Sequence, residues 1–368
     1  MRIRCRRDKF LPLFSLTASF AAARDVRPAL QNVKTIASEA NVLLTATDGD
    51  VGARVEIPTG DGFTVEDAGE VILPAKLLRK ILAETTTEEI LLESEGTTLV
   101  VTGENFRYQL TTCEATDFPP VAAFDAEAYS KIPTKVFGEM IRRTTFAIDS
   151  ENSHYALGGV LMNFVGDRVS AVSTDGRRLA FQEGVAETVG EHASENKTIF
   201  PPRTLNLIER AFGDVDEAWV AVKEGQALIK IGSFVVSSTL IDGRFPNWRA
   251  IFPDKSGRKK VDFIAGPLAS AVRQAEIVAS EKKPGVWLNF EPGKVVVAAA
   301  GEEIGESSVQ IPISYDGENA SLRLDSKFLS DFLRCVAPEE TVSFYFLADK
   351  PALFETSDGY SYVIMPLT

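Results

Sequence analysis

LPAKLLRKIL at 73–82, PPRTLNLIERAF at 201–212 and DSKFLSDFLRCV at 325–336 are three versions of one helix. Each opens with a Pro or Asp start signal and a basic residue, then sets apolar side chains on one helical face. Leu77, Leu78, Ile81 and Leu82 have the spacing of Phe328, Leu329, Phe332 and Leu333, and the middle copy keeps Leu205, Ile208 and Phe212. The basic residues Lys76, Arg203 and Lys327 stand 127 and 124 positions apart. Two further markers agree. The turn Thr47-Asp48-Gly49 returns 127 positions later as Thr174-Asp175-Gly176, and Phe10, Phe137 and Leu268 mark an earlier helix at intervals of 127 and 131. Three markers in step favour an internal repeat over three unrelated α+β domains.

Between these helices the chain reads as strands. EEILLES, TTLVVTG, FRYQLTT, ALIKIGS, FVVSSTL, KVVVAAAG and SYVIMPL are short, rich in β-branched or aromatic residues, and bounded by Gly, Asp or Thr turns. Each repeat is therefore helix–strands–helix–strands, long enough to bury a core of its own. The expected fold class is α+β, with three repeated domains at 1–121, 122–253 and 254–368, each carrying two helices on antiparallel sheets.

The 368 residues are 45% hydrophobic and 25% charged, a globular composition, with a net charge of −13. Cys5, Cys113 and Cys335 are scattered and make no CxxC pair, which suits a reducing, cytoplasmic setting. With His154 and His192 the only histidines, neither a metal nor a cofactor is expected. No run approaches the roughly 18–20 apolar residues that span a bilayer. The first 25 residues, MRIRCRRDKFLPLFSLTASFAAARD, have the layout of a secretory signal. The repeat argues otherwise, because 8–23 falls where the first helix of repeat one is required.

A charge of −13 speaks against a nucleic-acid binder only if it is spread evenly. It is not. The expected helices at 8–24, 73–82, 134–147, 201–212, 267–283 and 325–336 hold fifteen Lys and Arg against seven Asp and Glu, a net +8. Strands and loops carry the remaining −21. Helices that all face one way would offer phosphates a positive surface. Lys and Arg are also simply good helix formers, which is the plainer account of the same count.

SHYALGGVLMNF (153–164), VSTDGRRLA (172–180), LIDGRFPNW (240–248) and the terminal YVIMPLT (362–368) together resemble the bacterial DNA polymerase III β sliding-clamp family, in order along the whole chain. The resemblance implies two subunits closed head-to-tail into a ring around duplex DNA, helices inside and sheets outside. It implies a homodimer whose partners are double-stranded DNA, the polymerase III α subunit, the clamp loader, and other polymerases and repair proteins. It also implies a hydrophobic cleft for partner peptides. Carried over residue by residue, the cleft floor is Leu157, Thr174, Gly176, Arg178 and Leu179. One wall is Pro246 and Ile251, the other Val363, Ile364, Met365, Pro366 and Leu367. Arg24 and Arg203 would face DNA, and Arg107, Tyr108 and Leu110 would meet Ile277, Val278, Glu303 and Glu306 of a second subunit. The chain departs from the family at Ala156, where an aromatic is common, and at Ala250, Arg177 and the Thr368 end.

Two other functions compete. An enzyme would need a phosphate loop, a GxSxG elbow, HExxH or a Cys/His pairing, and none is present. Asp48 and Asp175 sit in Asp-Gly turns, where the carboxylate typically bonds local backbone. A secreted β-rich repeat binding module is supported by the N-terminal layout alone.

Overall fold

The computed structural model describes residues 1–114, 118–151, 156–279, 285–301 and 305–367. His154, Glu303 and Thr368 lie outside the described residues. The described chain forms two compact units, one of 1–135, 186–192 and 203–240, the other of 136–185, 193–202 and 241–368.

Six α-helices appear among the described residues: α1 (Arg7–Ala18), α2 (Ala75–Glu84), α3 (Thr134–Thr144), α4 (Pro202–Ala211), α5 (Ala265–Ala275) and α6 (Ser326–Leu333). They are the expected helices, mostly shortened at the C-terminal end. α3 and α5 pass into single 3-10 turns, Thr145–Ala147 and Glu276–Val278, a common way to finish an α-helix. The repeat markers Phe10, Phe137 and Leu268 are all buried. So are Leu78, Ile81 and Leu82 of α2, Leu205 and Ile208 of α4, and Leu329, Phe332 and Leu333 of α6. Leu77 and its counterpart Phe328, at the edge of the stripe, depart: Leu77 is 55% exposed and Phe328 half-buried.

The secretory reading of the N-terminus finds no support. Arg2–Arg6 is a strand paired on both sides, with Phe63–Asp67 and Glu89–Glu95, and α1 buries Phe10, Phe14 and Thr17. α1 ends at Ala18, so Arg24 sits in an exposed loop and not on a helix as expected.

In the first unit a nine-stranded sheet joins strands of repeat one to strands of repeat two, through antiparallel pairing of Val51–Pro58 with Phe234–Thr239. A five-stranded sheet of repeat one ends at Phe106–Thr111. In the second unit an eight-stranded sheet joins repeats two and three, through Arg178–Val185 paired with Tyr360–Ile364. A four-stranded sheet of repeat three ends at Gly305–Pro312. The middle repeat is thus divided: one of its sheets belongs to each unit. No described helix is long and apolar enough to cross a membrane.

Candidate peptide cleft and DNA-facing surface

The junction of repeats two and three is built on one strand pair. Leu179 lies opposite Val363 and Arg178 opposite Ile364. Side chains alternate across a sheet, so these two pairs face opposite ways. Leu179 and Val363 enter an apolar cluster with Leu161, Val172, Ile199, Phe245, Trp248 and Leu353, against which Leu157 packs half-buried. Ile364 instead joins the core of repeat three beside Tyr360 and Tyr362. It is fully buried, on the face away from Leu179.

Arg178 also points away from the apolar cluster. Its guanidinium pairs with Asp175 at 2.9 Å and Asp331 at 2.8 Å, donates to the Phe146 carbonyl at 2.7 Å, and lies 4.3 Å over the Phe328 ring. Burial works against its charge, but Tyr362, Asp331 and Asp175 outweigh it and hold the group above its usual pKa. A cation so enclosed ties the 174–178 turn to α6 and has little left to offer a ligand. The turn itself is tight. Asp175 accepts from the Arg177 and Arg178 amides, Thr174 Oγ1 accepts from the Gly176 amide at 3.1 Å, and Gly176 takes φ +87°, which favours glycine. Asp175 therefore serves a turn.

The other expected cleft residues are more accessible. Pro246, Gly176, Met365 and Ile251 are exposed, the last two by 43% and 37%, and Pro366 and Leu367 are half-buried. The described chain end is held by two main-chain bonds: Met365 N donates to Arg177 O and Leu367 N to Arg323 O, each at 2.9 Å. Leu367 lies against Gly285, where an added Cβ would approach its Cδ1 to 2.7 Å. Thr174 is buried and structural. The sequence reading missed Trp248 and Phe245, the largest side chains of the cluster. Trp248 stacks on Phe181 at 4.9 Å and meets Phe252 edge-on at 5.8 Å. The signal was available, because Phe245-Pro246-Asn247-Trp248 repeats Phe118-Pro119-Pro120-Val121 at the same offset of 127.

In the first unit, the repeat's matching basic residues converge. Lys76 Nζ donates to the Ala23 carbonyl at 3.3 Å and Arg203 Nη2 to Ala21 at 3.5 Å, on the loop that exposes Arg24. Arg203 also pairs with Asp48 at 2.8 Å while about half exposed. One helix cation drops out of the expected positive surface: Arg143 of α3 is buried against Asp358 and Gln182.

The expected seam residues Arg107, Tyr108 and Leu110 occupy Phe106–Thr111, the terminal strand of its sheet, with Tyr108 42% exposed. Glu306 occupies the terminal strand Gly305–Pro312, and Ile277 is 74% exposed beside a half-buried Val278. Both strands are open edges of their sheets, and native proteins seldom leave such edges long and uncovered. Among the described residues no group of acidic, Cys or His side chains could hold a metal.

Family models match nearly the whole chain. The N-terminal domain of the DNA polymerase III beta subunit matches residues 1–122, the central domain 131–247 and the C-terminal domain 249–368. The Beta sliding clamp of Pseudomonas putida is 27% identical over 374 residues, all of both chains. That of Caulobacter vibrioides is 27% identical over 383 residues, again all of both. A crystal structure of the Pseudomonas aeruginosa sliding clamp bound to griselimycin superposes with TM-score 0.92 at 26% identity, covering 100% of this chain and 99% of that one. Three clamp domains in one chain define the class as a sliding clamp. The chain belongs to the DNA polymerase III beta subunit family, whose members are non-catalytic processivity factors.

Proposed function

We propose that this chain closes head-to-tail with a second copy into a ring around duplex DNA. There it tethers a replicative polymerase, the clamp loader and other replication and repair proteins, and has no catalytic activity of its own. The observation that most supports partner capture is the apolar cluster at Leu179 and Val363, together with the exposure of Met365, Pro246 and Ile251. Apolar anchors such as Leu and Phe would be buried there, with Met365 adapting to different partners. The three domains run at 1–121, 122–253 and 254–368. The ring is proposed to form by pairing Phe106–Thr111 with Gly305–Pro312 of the second copy, flanked by Arg107, Tyr108, Ile277, Val278 and Glu306. A contact whose rotation closes after two copies gives a finite ring.

DNA is held by topology and by weak, sequence-independent phosphate contacts from Arg24, Lys76 and Arg203. The deciding experiment places the protein on nicked circular DNA with a clamp loader and ATP, then cuts the circle. Co-migration with the circle and release on linearisation are expected. Tight, sequence-selective binding to a short linear duplex would sink the reading, and so would a protein that is monomeric at micromolar concentration.

A further inference from the structure

A cavity of about 580 Å³ opens beside the cleft, between the edge strand Ser194–Phe200 and the loop at 243–249. Its chemistry differs from the cleft's. Lys197, Arg244 and Arg249 line it against a single acid, Glu195, in a chain whose net charge is −13. Glu195 is already engaged, 3.3 Å from Arg249. Lys197 and Arg244 are exposed, and neither has a charged partner among the described residues.

Trp248 connects the two places. Its ring packs in the cluster of Leu179 and Val363, yet it also lines the cavity, with the Arg249 guanidinium 4.5 Å above it. Its indole N–H is buried and meets no acceptor among the described residues. A buried donor left unmatched is uncommon in native proteins and can be satisfied by a ligand acceptor. Pro246 likewise lines this cavity and stands in the proposed cleft wall.

We propose that this cavity is a second pocket for the same partner chain, taking the carboxylate side chains of residues that flank its apolar anchor peptide. The assignment rests on the cleft reading above. Lys197 and Arg244 supply the charge, and the continuity through Trp248 and Pro246 places an acidic flank within reach of an anchored peptide.

The test uses the intact protein and fluorescein-labelled peptides that share one Gln, Leu and Phe anchor. One carries a Gly-Ser extension, and two carry an Asp-Glu extension, at the N- or the C-terminal side. One of the acidic peptides should bind roughly tenfold tighter than the neutral one, the scale of a few charge-assisted hydrogen bonds. That gain should shrink as salt rises. The double variant Lys197→Glu/Arg244→Glu should abolish the gain and leave the neutral peptide unchanged, since both side chains are exposed and outside the cleft. Equal affinity of acidic and neutral peptides for the unaltered protein overturns the pocket while the cleft stands. So does a gain that survives the double variant. Loss of duplex-DNA affinity in the variant, with the peptide gain intact, assigns these cations to DNA instead. A neutral peptide that fails to bind at all removes the cleft reading, and the pocket with it.

Discussion

Two junctions in this molecule are built from the same parts and end as different surfaces. At the first, Val51–Pro58 of repeat one pairs with Phe234–Thr239 of repeat two; at the second, Arg178–Val185 pairs with Tyr360–Ile364. The preceding turns match bond for bond. Thr47 Oγ1 accepts from Gly49 N at 3.0 Å, as Thr174 Oγ1 does from Gly176 N at 3.1 Å. Asp48 and Asp175 each accept from the amides two and three residues on. The pairs that follow diverge. Leu179 faces Val363 at the second junction, where the first has Gly52 facing Ser237. Trp248 at the second stands where the first has Val121, whose methyls would lie 3.2 Å from a Cβ on Gly52. The repeat supplies the frame twice, and the residues at three matched positions decide that only one copy has an apolar floor.

The sharpest break in the comparison is the cation at each turn. Arg178→Ala takes the buried guanidinium away from Asp175 and leaves Asp331 only the exposed Arg334, so a loss of roughly 3 kcal/mol in unfolding free energy is expected. Arg203→Ala at the first junction removes a half-exposed pair with Asp48, and about 1 kcal/mol or less is expected there. Chemical denaturation of the two variants side by side reads the contrast. Equal losses would mean that the two turns are tied down alike.

Deleting residues 365–368 comes next. Among its described residues the segment is held through two main-chain bonds and the Leu367 side chain, so the melting temperature and any dimer should change little. Affinity for an anchor peptide should fall by roughly a hundredfold or more, because two apolar contacts of about 1.5–3 kcal/mol each are lost. A truncated protein that melts early and still binds would make these residues a strand finish and not a wall.

Gly52→Leu asks whether the first junction becomes a cleft once given the second's residue. The space is taken by Val121 and Thr47, so overpacking of roughly 1–3 kcal/mol is expected, with no gain of peptide binding. New binding that survives loss of the native cleft would show that sequence at one position, and not crowding, separates the junctions.

Much of this could be read before any fold was known. Helix stripes at a fixed offset gave the architecture, since a buried face repeats every three or four residues whatever surrounds it. The two Asp-Gly turns were legible for the same local reason. What stayed hidden depends on register. Val363 and Ile364 are equally apolar neighbours, and only their pairing with Leu179 and Arg178 tells which one joins the cluster at the junction. Arg143 reads as one more helix cation, because its partner Asp358 is distant in sequence. Leu77 reads as core because a four-residue apolar window cannot say where the stripe's edge lies.

The division of the middle repeat bears on how the chain can be dissected. Its strand Phe234–Thr239 is covered by repeat one and its strand Arg178–Val185 by repeat three. Cut out alone, residues 122–253 would carry two bare backbone rows, each ready to recruit another chain. Either terminal repeat released by the same cuts would bare only one row at these junctions. Expressed as a fragment, the middle piece is therefore the one bound for filaments or inclusion bodies, however well its own helices and turns are specified.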